Sequence, residues 1–272
     1  MVSCVFNGRL GNNLFQIANV ISISTKLGTD LLIPEYTHCG HRGTRPVDLS
    51  IFSHPFKRGT FKSTHELGEL QFKYKPIEAV DDLNISGFYQ SWKYFDDVRE
   101  ELLSKYFAPS ESVIKSLSKY DILPINTLGI SVRRGDYLML QNNHCVLPGE
   151  YYQEVIDKYF LDKTIEAIYV FSDDIEWCKT IFGDTVHYVQ DDIGTQLFLM
   201  GRMKHFIMSN STFAWWGMYL SQRTDGLVIA PDPWFGPDLK DTYTNDLYYP
   251  TWVKHEHTPV FQPFQMTDKF FD

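Results

Sequence analysis

Two adjacent arginines, Arg133 and Arg134, follow an apolar run at 128–132 and precede Gly135, Asp136 and Tyr137. Forked guanidinium donors match phosphate oxygens, so such a pair at a strand end can hold a diphosphate. The competing reading is a solvated Arg-Asp surface turn. The surrounding charge makes the pair informative. The 272 residues carry 25 Lys and Arg against 34 Asp and Glu, a net charge of −9. That balance argues against a nucleic-acid partner, which calls for a basic footprint. An acidic chain that binds a phosphorylated ligand must gather its arginines locally.

Three further segments point the same way, each with a plainer alternative. Ser209-Asn210-Ser211-Thr212 ends an apolar run and opens a helical stretch. Ser211 or Thr212 can cap that helix, whose free N–H groups and dipole favour a phosphate. The alternative is an ordinary N-cap with Trp215 and Trp216 in the core. Gly8-Arg9-Leu10-Gly11-Asn12-Asn13 lies between a strand and a helix, where glycine lets a ligand approach the backbone. It is neither GxGxxG nor a P-loop, and a tight structural turn also accounts for it. Phe171-Ser172-Asp173-Asp174 supplies two acids that can hold a metal, bind a base or ribose, or cap the next helix. His144 and the pair Asp191-Asp192 are isolated polar residues in predicted loops.

The elements that must position these residues follow from periodicity. Residues 2–6 form an apolar run, Leu10, Leu14, Ile17, Ala18 and Ile21 recur at helical spacing, and 31–33 gives a second strand before Pro34, a β-α-β unit. The stretch 38–83 has weak periodicity and reads as loops and short strands. A strand-like start at 86 leads into a helix near 96–106, a second helix spans 111–119, and 121–126 is a crossover. Beyond it the alternation is regular. Strands are predicted at 128–132, 167–171, 186–189, 206–208 and 227–229, with helices at 150–159, 175–181, 196–203 and 213–220. That pattern is α/β with a parallel, doubly wound sheet whose ligands bind beyond the strands' carboxyl ends.

The four cysteines show no CxxC pair and read as reduced thiols, which suits a cytoplasmic protein. The uncharged stretches are too short for a membrane span, and no basic-then-apolar leader is recognisable. At most peripheral membrane contact is expected.

In order, GRLGNNLFQ at 8–16, GFYQSWKYF at 87–95, VRRGDY at 132–137, FSDD at 171–174 and SNSTFAWWG at 209–217 make the chain similar to the bacterial-type α-1,2-fucosyltransferases, glycosyltransferase family eleven. The resemblance implies a GT-B type fold of two facing Rossmann-like lobes. It places an acceptor-side lobe with the Gly-rich loop at 1–126 and a nucleotide-sugar lobe at 127–272, the C-terminal tail packing back on the first. It implies a GDP-fucose donor, a glycan acceptor, no cofactor and inversion at the fucose anomeric carbon. Arg133, Arg134, Ser211 and Thr212 would hold the diphosphate, with Asn210 beside them and Gly11 and Asn12 approaching from the other lobe. Asp173 and Asp174 would serve as nucleotide contacts or caps, with no metal. Gln16 and Tyr137 would meet the acceptor. Two positions depart from the family: Ser131 stands where a His is frequent, and Gln196, counted among the expected donor contacts, where an acid is frequent. These leave open how guanine is read.

The expected reaction is direct displacement by an acceptor hydroxyl, with Arg134 stabilising the leaving diphosphate. Asp136 is either the base or an orienter of the arginines, and His144 is the other candidate base. Transfer of another nucleotide-activated sugar and a non-catalytic sugar-nucleotide or glycan-binding module are the competing functions. A nicotinamide oxidoreductase shares the sheet pattern but lacks its glycine fingerprint.

Overall fold

Val2–Val5 forms strand β1 and Leu10–Leu27 helix α1, the first two elements the spacing predicts. The structure, a computed structural model, describes residues 1–40, 43–69 and 72–263. The chain divides into two units, Met1–Ser116 with Tyr243–Tyr249, and Leu117–Thr242 with the residues from Pro250 onward.

In the first unit α1 is buried almost continuously from Gly11 to Ser24, so it is a core helix, and its buried face includes the polar Asn13, Gln16, Asn19 and Ser22. The expected strand at 31–33 does not form a ladder. Leu31 bridges Val2 and Ile33 bridges Arg58 singly, and Pro34 has no N–H with which to continue. Instead β2 (Tyr36–His38) and β3 (Thr44–Pro46) pair antiparallel. Strands β4 (His65–Gly68) and β5 (Leu83–Ser86) join β1 in a parallel sheet of order β1-β5-β4. The helix expected near 96–106 is irregular. A 3₁₀ turn at Asp96–Val98 gives way to one α turn, α2 (Arg99–Glu101), and then to a π turn at Leu102–Tyr106. Helix α3 (Glu111–Leu117) follows. The late segment Tyr243–Tyr249 returns to this unit. Its Asp246 accepts the Tyr74 N–H at 3.0 Å and pairs with the Lys93 ammonium.

The second unit is one parallel sheet. Its strands are β6 (Thr127–Val132), β7 (Ala167–Ser172), β8 (His187–Val189), β9 (His205–Ile207), β10 (Val228–Asp232) and β11 (Val253–Glu256). Their order is β11-β10-β9-β6-β7-β8, parallel at every pairing. Helices α4 (Gly149–Tyr159), α5 (Ile175–Phe182), α6 (Ile193–Met200) and α7 (Thr212–Tyr219) connect successive strands. Helix α6 begins earlier than periodicity predicts because Asp192 caps it, accepting the Thr195 N–H at 2.9 Å. Strand β11 is an addition to the predicted set.

Every residue of β6 is buried, as a central parallel strand covered on both faces must be. Leu128, Ile130 and Val132 pack with Tyr152, Val155, Val170 and Ile207. From β6 the chain winds outward through β7 to β8, then returns to β9 on the other side and winds the opposite way. Strands β6 and β9 therefore flank a topological switch point, where α/β sheets open a crevice beyond their carboxyl ends. Among the described residues no helix is long and apolar enough to cross a membrane.

Candidate active site

Strand β6 delivers Arg133 and Arg134 to the switch point. Arg134 is only 5% exposed. Its backbone N–H donates to Asp173 Oδ1 at 2.9 Å and its Nε to Asp174 Oδ2 at 3.0 Å. Its guanidinium carbon lies 3.9 Å from the centre of the Trp177 ring. The buried Nη1 has no hydrogen-bond partner among the described residues. Leaving such a donor unmet costs free energy, and an anionic oxygen is the group that completes it best.

Arg133 is held from two sides, by Asp173 Oδ2 at 2.8 Å from Nη1 and by Asp136 at Nη2. Its guanidinium carbon sits 5.3 Å from the Tyr137 ring centre. Burial works against its charge, but Asp173 and Asp136 outweigh burial and hold its pKa above the ordinary arginine value. Asp173 thus touches both arginines. It fits because residue 135 is glycine: a Cβ there would stand 2.4 Å from Asp173 Oδ2. Asp174 is also the N-cap of α5, accepting the Trp177 N–H at 3.2 Å. The two acids expected as donor contacts or caps accordingly brace the arginines, and one of them caps as well.

Tyr137 stacks on His144, with ring centres 4.3 Å apart and planes 12° from parallel. Its hydroxyl donates to the Asn210 carbonyl at 3.2 Å. Burial pushes the His144 pKa below the usual imidazole range; Asp136 opposes that shift and Arg133 adds to it. A neutral imidazole beside the arginines is chemically able to accept a proton.

Across the switch point, Ser209 N–H donates to Ser131 Oγ at 2.8 Å. The small hydroxyl at 131 thereby ties the end of β6 to the end of β9. The Asn210 amide donates to the carbonyls of Cys145 and Trp234, each at 2.9 Å, and its Oδ1 is buried without a partner among the described residues. That side chain clips three loops together. Ser211 occupies the N-cap of α7 and Thr212 begins the helix, but the Ser211 hydroxyl makes no capping bond. The sequence allowed such a cap; Ser211 adopts the extended N-cap backbone without it. Gln196, in α6, donates through Nε2 to the Asp191 carbonyl at 2.6 Å.

In the first unit, Gly8 has φ +83° and a Cβ there would meet Asn12 Nδ2 at 2.1 Å. Asn12 Oδ1 accepts from Gln90 at 3.0 Å, and Gly11 lies buried in the first turn of α1. Gln16, expected at the acceptor, is fully buried. Its Nε2 donates to the Gly87 carbonyl at 2.7 Å, and its Oε1 accepts from Asn13 at 3.1 Å and from the Asn7 N–H at 3.3 Å. Gln16 is therefore corrected from an acceptor contact to a brace of the Gly-rich loop, because no surface of it is left for a ligand. Trp177 is the residue the sequence analysis passed over. Its signal there is an aromatic three residues into the helix that FSDD opens.

The model of glycosyl transferase family 11 matches residues 1–256. The chain is 27% identical to the O-antigen biosynthesis glycosyltransferase WbnK of Escherichia coli, over 90% of this chain and 98% of that one. It is 33% identical to an alpha-1,2-colitosyltransferase of Escherichia coli over 55% of each chain. It is 23% identical to galactoside alpha-(1,2)-fucosyltransferase 2 of Mus musculus, over 90% of this chain and 76% of that one. Among solved structures it is similar to NodZ alpha-1,6-fucosyltransferase soaked with GDP-fucose, with TM-score 0.54 and 12% identity, over 85% of this chain and 94% of that one. That likeness is one of fold, the GT-B class of α/β glycosyltransferases.

Proposed function

The chain belongs to glycosyltransferase family 11, and on that premise we propose that it moves L-fucose from GDP-fucose to the 2-OH of a galactose-type residue of a glycan, with inversion at C1. The observation that carries this reading is Arg134: a buried guanidinium at the switch point, braced by two acids, whose Nη1 has no partner among the described residues. A diphosphate is the anion that suits it, and the relatives named as α-1,2 transferases supply the linkage.

In the proposed reaction the acceptor oxygen bonds to C1 as the bond from C1 to the diphosphate oxygen breaks. The acceptor proton passes to a base on the protein, and GDP leaves with the bonding pair. Arg134 and Arg133 stabilise the charge that grows on the departing phosphate, aided by the N-terminus of α7 at Ser211 and Thr212. Asp136 pairs with Arg133, which favours its role as an orienter. His144, whose pKa burial lowers, is then the base. Tyr137 would present the acceptor beside it. Asp173 and Asp174 are engaged by guanidinium groups, so transfer without a divalent cation belongs to the same reading. So does a cytoplasmic location.

An acceptor array with GDP-fucose, followed by linkage and anomer assignment by NMR, tests the proposal. A β-linked product, or fucose on a hydroxyl other than the 2-OH, overturns it. The likeness to an alpha-1,2-colitosyltransferase supports a second reading, transfer of another nucleotide-activated sugar. Higher kcat/KM with GDP-colitose than with GDP-fucose would establish that one.

A further inference from the structure

A guanidinium group is a flat cation with two faces and three donor edges, so whatever occupies its faces and edges decides which donors remain for a ligand. For Arg134 that environment is unusually complete. The Nε edge is taken by Asp174 Oδ2 at 3.0 Å, and one face is covered by the Trp177 indole at 3.9 Å. The residue is 5% exposed, and among the described residues its Nη1 is buried and unmatched. Trp177 and Asp174 are themselves coupled, because Asp174 Oδ1 caps α5 by accepting the Trp177 N–H at 3.2 Å. One carboxylate therefore fixes both the start of the helix that carries the indole and the edge of the guanidinium lying on it.

We infer that Trp177 is a positioning residue, whose indole face sets the plane of the Arg134 guanidinium and so aims the unmatched Nη1 edge at the donor diphosphate. A guanidinium held at its edge by Asp174 alone can still swing about that contact; a π surface against its face removes this freedom. The alternatives for a tryptophan at this position are simple packing of α5 on β7, or a stacking surface for the nucleotide base. Both leave the plane of Arg134 unconstrained and predict different losses on substitution.

The inference rests on the diphosphate reading of Arg134, and its test separates the two. Trp177→Leu keeps apolar bulk and removes the π face, whereas Trp177→Phe restores a smaller face. GDP and guanosine binding are measured by calorimetry on the full chain, beside steady-state transfer from GDP-fucose. Trp177→Leu is expected to lower kcat and GDP affinity each by roughly tenfold, the scale of a desolvated cation–π contact. Guanosine affinity and the acceptor KM should stay at the wild-type level, and Trp177→Phe should recover most of the loss. If Trp177→Leu weakens guanosine and GDP equally, the indole stacks on the base and the inference is overturned. If Trp177→Leu leaves GDP affinity intact while Arg134→Ala abolishes it, the inference fails and the diphosphate reading stands. If Arg134→Ala itself leaves GDP affinity unchanged, the diphosphate reading fails, and the inference with it.

Discussion

The polar cluster at the end of β6 and the one around the start of α1 are built on opposite electrostatic plans. The first sets two arginines against three carboxylates, those of Asp136, Asp173 and Asp174, and still leaves a buried donor unmatched among the described residues. The second uses neutral groups that answer one another: Asn7, Asn13, Gln16 and Thr37, with Gln90 paired to Asn12 beside them. Buried neutral amides hold a backbone shape at modest cost when every partner is present. Buried ions are costly to desolvate, and a fold retains them where a charge must be met. On the proposed function the charged cluster carries the chemistry and the neutral bonds around Gln16 hold a loop, which gives substitutions in the two regions different signatures.

The largest expected effect is at the proposed base. His144→Ala should lower kcat by about 10²–10⁴ while GDP affinity holds, the usual range for a lost general base. The wild-type pH profile sharpens this. His144 accepts a proton only when neutral, so the rate must fall as pH drops through its pKa. Burial lowers that pKa, which moves the fall below about pH 6.5. An unchanged acid limb in His144→Ala would return the assignment to Asp136. In that event Asp136→Asn should abolish transfer without weakening GDP; weakened GDP binding in step with activity identifies it as an orienter.

Next comes Arg134→Ala, expected to reduce kcat by roughly 10²–10³, with Arg134→Lys recovering little because an ammonium has no forked edge. Near-native turnover in the lysine variant would count against bidentate phosphate binding. Gly135→Ala probes the same cluster from behind. Its new methyl would displace Asp173, and with it both arginines, at a cost on the order of 10²-fold in kcat. Wild-type kinetics in that variant would separate Asp173 from the arginines' function.

In the neutral cluster the expected currency is stability. Gln16→Ala should cost about 1–3 kcal/mol by stranding buried partners, read as a lower Tm, with GDP affinity unchanged. A loss of GDP affinity larger than the loss of stability would erase the contrast between the regions. The smallest effect is expected from chelation: EDTA should leave the transfer rate where it was. Restoration of a lost rate by Mg²⁺ or Mn²⁺ would release Asp173 and Asp174 from their role as arginine partners.

What the sequence made legible depends on the range of the interactions involved. Strands β6, β7 and β9 are near-continuous apolar runs, so their ends, and with them Arg133, Arg134 and Ser209 to Thr212, could be placed from local pattern. The partners of the arginines could not. Asp173 and Asp174 lie 39 and 40 residues from Arg134, and an acid pair before a helix looks the same whether it caps, binds metal or braces a guanidinium. Trp177 was hidden for a similar reason, since one aromatic in an amphipathic helix reads as core. Gln16 lies in a motif shared with the family, and only its burial shows that it serves the loop. The failures at 31–33 and 96–106 are local. Residues 31 and 33 have strand composition but meet different partners, and 102–106 widens into a π turn that helix periodicity does not distinguish.

The return of Tyr243–Tyr249 to the first unit bears on how the protein is made. Asp246 joins residues 172 and 153 positions earlier, Tyr74 and Lys93. During synthesis the first unit emerges early, yet this part of it stays unfinished until nearly the whole second unit has been translated. At about 5–20 residues per second, the Tyr74 amide and the Lys93 ammonium wait many seconds for their carboxylate. The nascent first unit must therefore persist in an incomplete form while its neighbour is made, and Tyr243–Tyr249 supplies the contacts that complete it around Tyr74 and Lys93. Pulse-chase proteolysis of ribosome-bound chains ending before and after residue 249 would follow that closure directly.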